Sequence, residues 1–202
     1  MSLFGRKSGP VDDWEVMRTI LRAETQLHGE HEISPSRRAG LLYRPDENNE
    51  FLQGLDRELI HILNEGDGAT KTAGQIETDD HGTSWVVLDD GNFEDLVSSL
   101  YTVGNAMVHN DAGPLRIAAV FEFYRGGGLD SDENDWAPGT IGYWVYRYDR
   151  QRFYPFVPEG EEERNRPGEM QISRLMRRAS RLNATLPIDS PSRNITRIEL
   201  KA

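Results

Sequence analysis

The stretch from Tyr143 to Pro158 constrains the fold more than any other. It reads YWVYRYDRQRFYPFVP and places seven aromatic residues in sixteen positions. Tyr146, Tyr148, Arg150 and Arg152 alternate with Val145, Arg147, Asp149 and Gln151. A period of two in aromatic and β-branched residues suits pleated backbone, so the spacing predicts a hairpin turning near Asp149-Arg150-Gln151. Such residues build a sheet and a surface. They contain no catalytic constellation, and no other segment supplies one.

The rest of the chain reads as elements that a sheet of this kind can recruit. Trp14, Met17, Ile20 and Leu21 make an apolar stripe in a helix expected over 11–27, with Asp12 and Asp13 in its first turn against the helix dipole. A short strand is expected at Ala39–Arg44. Asn48 or Asn49 is placed to cap a second helix, whose face carries Phe51, Leu52, Leu55, Leu59, Ile62 and Leu63. Residues 73–78 and 83–88 flank Asp79-Asp80-His81-Gly82, a tight-turn composition. Asn92 caps a third helix running through Val108. Pro114 leads into a strand over 115–124, expected to pair with 141–148 across a polar, glycine-rich loop at 126–139. A fourth helix is expected over 168–183, with Ile172, Leu175, Met176, Ala179 and Leu182 inward. Ile195–Leu200 alternates as an edge strand would.

Adjacent strands joined mostly by hairpins give a mainly antiparallel sheet, with helices packed on one face. The fold class is therefore α+β, as a single domain over 11–190. Residues 1–10 and 191–202 read as tails, and 126–139 as a flexible acidic loop. The 202 residues suit one domain with one core.

Composition excludes several classes of function. With no Cys, there is no disulfide framework, thiol catalysis or Cys-ligated zinc. No apolar run reaches the ~20 residues that span a bilayer. Met1-Ser2-Leu3-Phe4-Gly5-Arg6 runs directly into polar residues, unlike a signal peptide. A cytoplasmic protein is expected, with at most peripheral membrane contact. The net charge of −11 opposes nucleic-acid binding. Lys7, Lys71 and Lys201 are the lysines among 23 basic residues. An acidic, Lys-poor surface suits high salt, and a halophilic source is preferred over an Arg-rich mesophile.

Each candidate for chemistry has a plainer reading. His28-Gly29-Glu30-His31-Glu32 offers metal-ligand types, but its histidines are three apart and lie beyond the expected helix end. Asp130–Asp135 imitates a calcium loop, but lacks the glycine and the closing glutamate it needs. Arg125-Gly126-Gly127-Gly128 precedes an acidic loop that would repel phosphate. Ser98 and Ser99 sit in a helix interior, and His61, His81 and His109 are scattered. Asp79, Asp80, Asp89 and Asp90 suffice as turn formers without acid–base work. No catalytic residue, cofactor-binding residue or metal ligand is therefore expected, and no cofactor.

The pattern as a whole resembles the PspA-associated protein B family, PspAB, of phage-shock-type envelope stress systems. The resemblance runs through Leu3-Phe4-Gly5-Arg6, Ala39–Arg44 with the helix through Leu63, Gly82–Val87 and Asp95–Leu100. It continues through Tyr146-Arg147-Tyr148 and Arg152–Pro158, and closes at Leu186-Pro187-Ile188-Asp189. The acidic loop and the polar tail after 190 depart from it. The resemblance implies a non-enzymatic accessory protein in a PspA-type membrane stress response. It implies, as partners, a PspA-like coiled-coil protein or an HtpX-like membrane protease. It carries over no catalytic residue.

Two surfaces are expected to meet a partner. One is the aromatic–proline edge Phe153, Tyr154, Pro155, Phe156 and Pro158. The other is Arg174, Arg177, Arg178 and Arg181, spaced by three and four along one side of the last helix. The plainer reading of the arginines is a solvated face pairing with Glu161, Glu162, Glu163 and Glu169. The alternative function is a small-ligand-binding protein or enzyme with a pocket under the sheet, lined by Trp85, Tyr143, Trp144 and Tyr154. Oligomeric state is not legible.

Overall fold

The aromatic segment folds as the hairpin its alternation predicts, turning through Tyr148–Gln151 with Gln151 at φ 50°. The computed structural model describes residues 12–64, 70–79, 82–126, 139–160 and 163–183. In chain order the helices are α1 (Asp13–Met17), α2 (Thr19–His31), α3 (Glu50–Asn64), α4 (Phe93–His109) and α5 (Arg166–Asn183). The strands are β1 (Ile33–Tyr43), β2 (Ala73–Thr78), β3 (Ser84–Asp89), β4 (Arg116–Arg125), β5 (Ile141–Arg147) and β6 (Arg152–Phe156). A two-stranded ribbon, β7 (Pro158–Glu159) with β8 (Glu163–Arg164), leads into α5. The six long strands form one sheet in the order β2-β3-β1-β4-β5-β6, and every pairing in it is antiparallel. This is the single α+β domain expected. The expected tails, the edge strand at 195–200, the calcium-like segment and nearly all of the 126–139 loop lie outside the described residues.

Strand alternation decides which side chains meet the helices. Leu41 and Tyr43 of β1, Val86 and Leu88 of β3, Phe121 and Phe123 of β4, and Trp144 and Tyr146 of β5 face them. The helices answer with stripes at helical spacing: Leu55, Leu59 and Leu63 from α3, Leu96, Leu100, Val103 and Met107 from α4, Ile172 and Met176 from α5. Trp144 stacks on Phe123 with ring centroids 4.5 Å apart. The intervening strand residues form a second apolar cluster on the opposite face, including Trp85, Val120, Tyr143, Val145, Tyr154 and Phe156. The four aromatics expected to line one pocket are thus divided between faces. Trp85, Tyr143 and Tyr154 belong to the second cluster, and Trp144 to the first. Adjacent strand residues point oppositely, so Tyr143 and Trp144 never shared a wall.

Two boundaries differ from expectation. The helix expected over 11–27 is divided at Arg18 and continues to His31. At the division the Thr19 hydroxyl donates to the Val16 carbonyl at 2.6 Å, competing with the helical ladder. Gly29 does not stop α2. Glu32, in the left-handed region at φ 54°, does, returning its N–H to the His28 carbonyl at 3.3 Å. The strand expected at 39–44 begins earlier, at Ile33, and includes Pro35. Proline is tolerated because β3 pairs only with Arg38–Tyr43, leaving residues 33–36 beside β4 without a second strand.

Close packing of α4 on the sheet depends on Gly104. A Cβ there would lie 3.0 Å from the Tyr148 hydroxyl, 3.3 Å from Arg116 Nη1 and 3.5 Å from Leu41 Cδ1. Gly104→Val is expected to destabilise by about 1–3 kcal/mol, since the branch must displace a buried guanidinium or the helix itself. Denaturant unfolding checks this, and an unchanged midpoint would show that α4 has room to move.

Candidate functional site

The aromatic–proline edge expected to contact a partner is core. Phe153 and Phe156 are 0% exposed and Tyr154 is 1% exposed, Pro155 is buried and Pro158 half-buried. Phe153 enters the helix-side cluster while Tyr154 and Phe156 enter the second. A partner reaches these side chains only by opening the sheet. Arg174 and Arg177, in contrast, are exposed on α5. The side chains of Arg178 and Arg181 fall outside those described.

Glu169 does not neutralise that arginine face. It is 0% exposed and its carboxylate is spent inside. Oε1 accepts from the Val157 N–H at 3.1 Å and from Arg164 Nε at 2.9 Å, and Oε2 from Arg164 Nη2 at 2.8 Å. This bidentate pair ties the β7–β8 ribbon and the end of β6 to the first turn of α5. Asn165 caps the same turn, its side-chain oxygen accepting from the Gly168 N–H at 2.8 Å. The Arg164 guanidinium also lies 4.9 Å from the Phe156 ring centre.

A second polar assembly sits at the helix-side end of the hairpin. Asp13, in the first turn of α1, accepts from the Tyr146 hydroxyl at 2.6 Å and from Gln151 at 3.3 Å, and pairs with Arg116 at 3.2 Å. Arg116 stacks 4.2 Å from the Tyr148 ring centre. The Tyr146 phenol is pushed well above its ordinary value, chiefly by burial, then by donation to Asp13 and the charge that Asp13 carries. Asp13, Tyr146, Gln151 and Arg116 meet one another, which makes this a structural clamp.

The open ground lies along the N-terminal half of β1. Between Pro35 and Ala39 the strand advances four residues while β4 advances two, a wide irregularity of the kind often found beside functional sites. The Ser36 hydroxyl donates to Glu122 at 2.8 Å and accepts from the Arg38 N–H at 3.0 Å. Arg37 donates to Asp89 at 2.9 and 3.3 Å. Beside this bulge lies a cavity of about 560 Å³, walled by Phe93 and Tyr124 and carrying Arg38 and Glu122. An adjoining cavity of about 600 Å³ shares Pro35, Phe93 and Tyr124 and reaches His28. Its histidine Nδ1 lies 2.6 Å from the Ser34 hydroxyl.

The other predicted groups have local partners. Asp79 caps the Thr83 N–H at 2.9 Å, while Asp90 accepts from Asn92 at 2.8 Å and from Thr72 at 2.9 Å. The Ser99 hydroxyl bonds to Thr70 and Thr72. Among the described residues no three His, Asp or Glu side chains converge as metal ligands.

The family profile described as PspA associated protein B matches residues 1–187. The chain belongs to that family. Neither a curated protein nor a solved structure matches it. Membership places the protein among accessory components linked to PspA. No helix among the described residues is long and apolar enough to cross a membrane.

Two features of this PspAB chain escape a reading by residue pattern, and a third does not. The Arg164–Glu169 pair hides because a first-turn glutamate ordinarily answers the helix dipole in solvent. The Asp13 clamp joins residues 133 positions apart, beyond any local signal. Glu122 did leave a signal: it is a lone carboxylate within the apolar strand run Ile117–Tyr124.

Proposed function

We propose that this protein serves a PspA-type envelope stress response as a non-enzymatic interaction partner, docking through the basic side of α5. The family match over 1–187 carries the reading. The geometry of α5 supports the choice of surface. Arg174 and Arg177 are exposed on α5, and Glu169, one of the four glutamates weighed as balancing that face, is held inside by Arg164. In a chain of net charge −11, such a face selects an acidic partner. A PspA-like coiled coil presents rows of carboxylates at helical spacing, which arginines three and four apart can meet. An HtpX-like membrane protease is the competing partner, and contact with the membrane is peripheral in either case. A halophilic setting sharpens the requirement, because the screening length near 1 M salt is ~3 Å and only direct pairs persist.

The test is co-purification with a PspA-like protein from the same cells, at low and at molar salt. The double substitution Arg174→Glu/Arg177→Glu is expected to weaken capture by about tenfold or more while leaving the unfolding midpoint within about 0.5 kcal/mol, as surface changes do. Capture retained in full by the folded double variant would remove α5 as the docking face. Enrichment of a membrane protease instead of the coiled-coil protein would replace the partner and keep the surface. Phe153→Ala/Phe156→Ala does not test docking, because both side chains are core.

A further inference from the structure

The cavity beside the β1 bulge contains two opposite charges that do not pair. Glu122 is 7% exposed, yet the described residues supply its carboxylate with one hydroxyl, that of Ser36, and no cation within ion-pairing distance. The half-buried Arg38 lines the same cavity, and its side chain has no hydrogen-bond or ion-pair partner among the described residues. Arg37 and Asp89 satisfy each other. The ring of Tyr124, 45% exposed, and the half-buried Phe93 complete the wall.

From this arrangement we infer that the cavity binds a small zwitterion of the α-amino-acid class, its ammonium group on Glu122 and its carboxylate on Arg38. The charges lining the cavity cancel, two arginines against two carboxylates. A purely cationic or purely anionic ligand therefore gains little from the field of the site. A neutral ligand with separated charges gains at both ends. Guanidinium matches carboxylate in a planar, two-bond geometry. The ammonium end gains from the aromatic faces beside Glu122. Ser36 holds one carboxylate oxygen of Glu122 and the Arg38 backbone together, so the bulge sets the spacing between the two charged ends. A volume of about 560 Å³ falls within the range of small-molecule sites. Strand addition by a peptide is disfavoured, because Pro35 lacks the N–H that an added strand would need on this edge. The inference is independent of docking through α5.

The experiment is a binding titration, by calorimetry and thermal shift, of the twenty protein amino acids against the full chain. At least one is expected to bind saturably. Its N-acetyl derivative removes the ammonium charge and its methyl ester removes the carboxylate charge. Each is expected to bind about tenfold or more weakly, as loss of a charge-assisted contact predicts. Glu122→Gln and Arg38→Gln are expected to show similar losses, and Gln at 122 keeps an acceptor for Ser36. If either variant fails to fold, the blocked ligands on the unaltered protein decide alone. The inference is overturned if no amino acid binds, or if folded variants bind as the parent does. It is equally overturned if one blocked form binds as tightly as the free amino acid, since one charge would then suffice.

Discussion

Replacing Glu169 by alanine is expected to cost about 3–5 kcal/mol, enough to unfold a domain of ordinary stability at modest temperature. The size follows from what is left behind. The Arg164 side chain is 8% exposed and would keep its charge without the bidentate carboxylate of Glu169, while the Val157 N–H would lose its acceptor. Arg164→Met should be comparably costly, because it strands the 0% exposed Glu169. The double change Arg164→Met/Glu169→Leu should cost much less than the sum, since removing both charges also removes both desolvation penalties. Equilibrium unfolding of the four proteins closes this cycle. Single substitutions costing under about 1 kcal/mol would mean that the pair is solvated and does not anchor α5. The pair also bears on function. It fixes the first turn of the helix that carries Arg174 and Arg177, so Glu169→Ala should reduce partner capture without touching the docking face.

Much of the fold was legible because amphipathic helices and alternating strands leave strong periodic signals. Asn92 and the stripe from Leu96 to Met107 locate α4, and the aromatic alternation locates β5 and β6 with their turn. What was illegible depended on distant neighbours. Pro35 and two arginines hide the first half of β1, and nothing local shows that β3 stops at Asp89 and leaves that edge open to proline. The aromatic–proline run was misread for a related reason. Alternating aromatic and charged residues imply one wet face, but from Phe153 to Phe156 the strand is buried on both faces, and such strands read as unbroken apolar runs.

The candidate sites divide in the same way. Spacing alone places Arg174 and Arg177 on one side of a helix, and the structure keeps them exposed. The fate of Glu169 required the β7–β8 ribbon, a device of four strand residues with no sequence signature. The Arg38–Glu122 cavity required a bulge, whose extra residues are defined only by the partner strand. A charge inside an apolar strand is nevertheless a signal readable from Glu122 itself, and it identifies the group that the cavity presents.

Raising the pH through the tyrosine range is expected to unfold this protein steeply. Burial pushes the phenols of Tyr146, Tyr148 and Tyr154 above their ordinary value of 10.0, because each phenolate would lack water. Asp13 adds to the shift at Tyr146. Arginine charges oppose it at all three but do not reverse it. A raised folded-state value means stability is fully present below about pH 10. It is lost above, where the unfolded chain releases protons that the folded chain retains. Each such phenol removes about 1.4 kcal/mol per pH unit in that window, so these three remove about 4 kcal/mol per unit, and the raised phenols of Tyr43 and Tyr101 add to it. The window is unusually clean, because the chain has three lysines and arginine does not titrate there. Urea unfolding at about pH 9, 10 and 11, followed together with phenolate absorbance, measures the slope. The phenolate of these buried tyrosines should appear with unfolding and not before it. Tyr154→Phe should remove about 1.4 kcal/mol per pH unit of the slope. A midpoint constant across this range, with phenolate forming in the folded protein, would mean that water reaches these phenols and that the sheet is looser than its packing indicates.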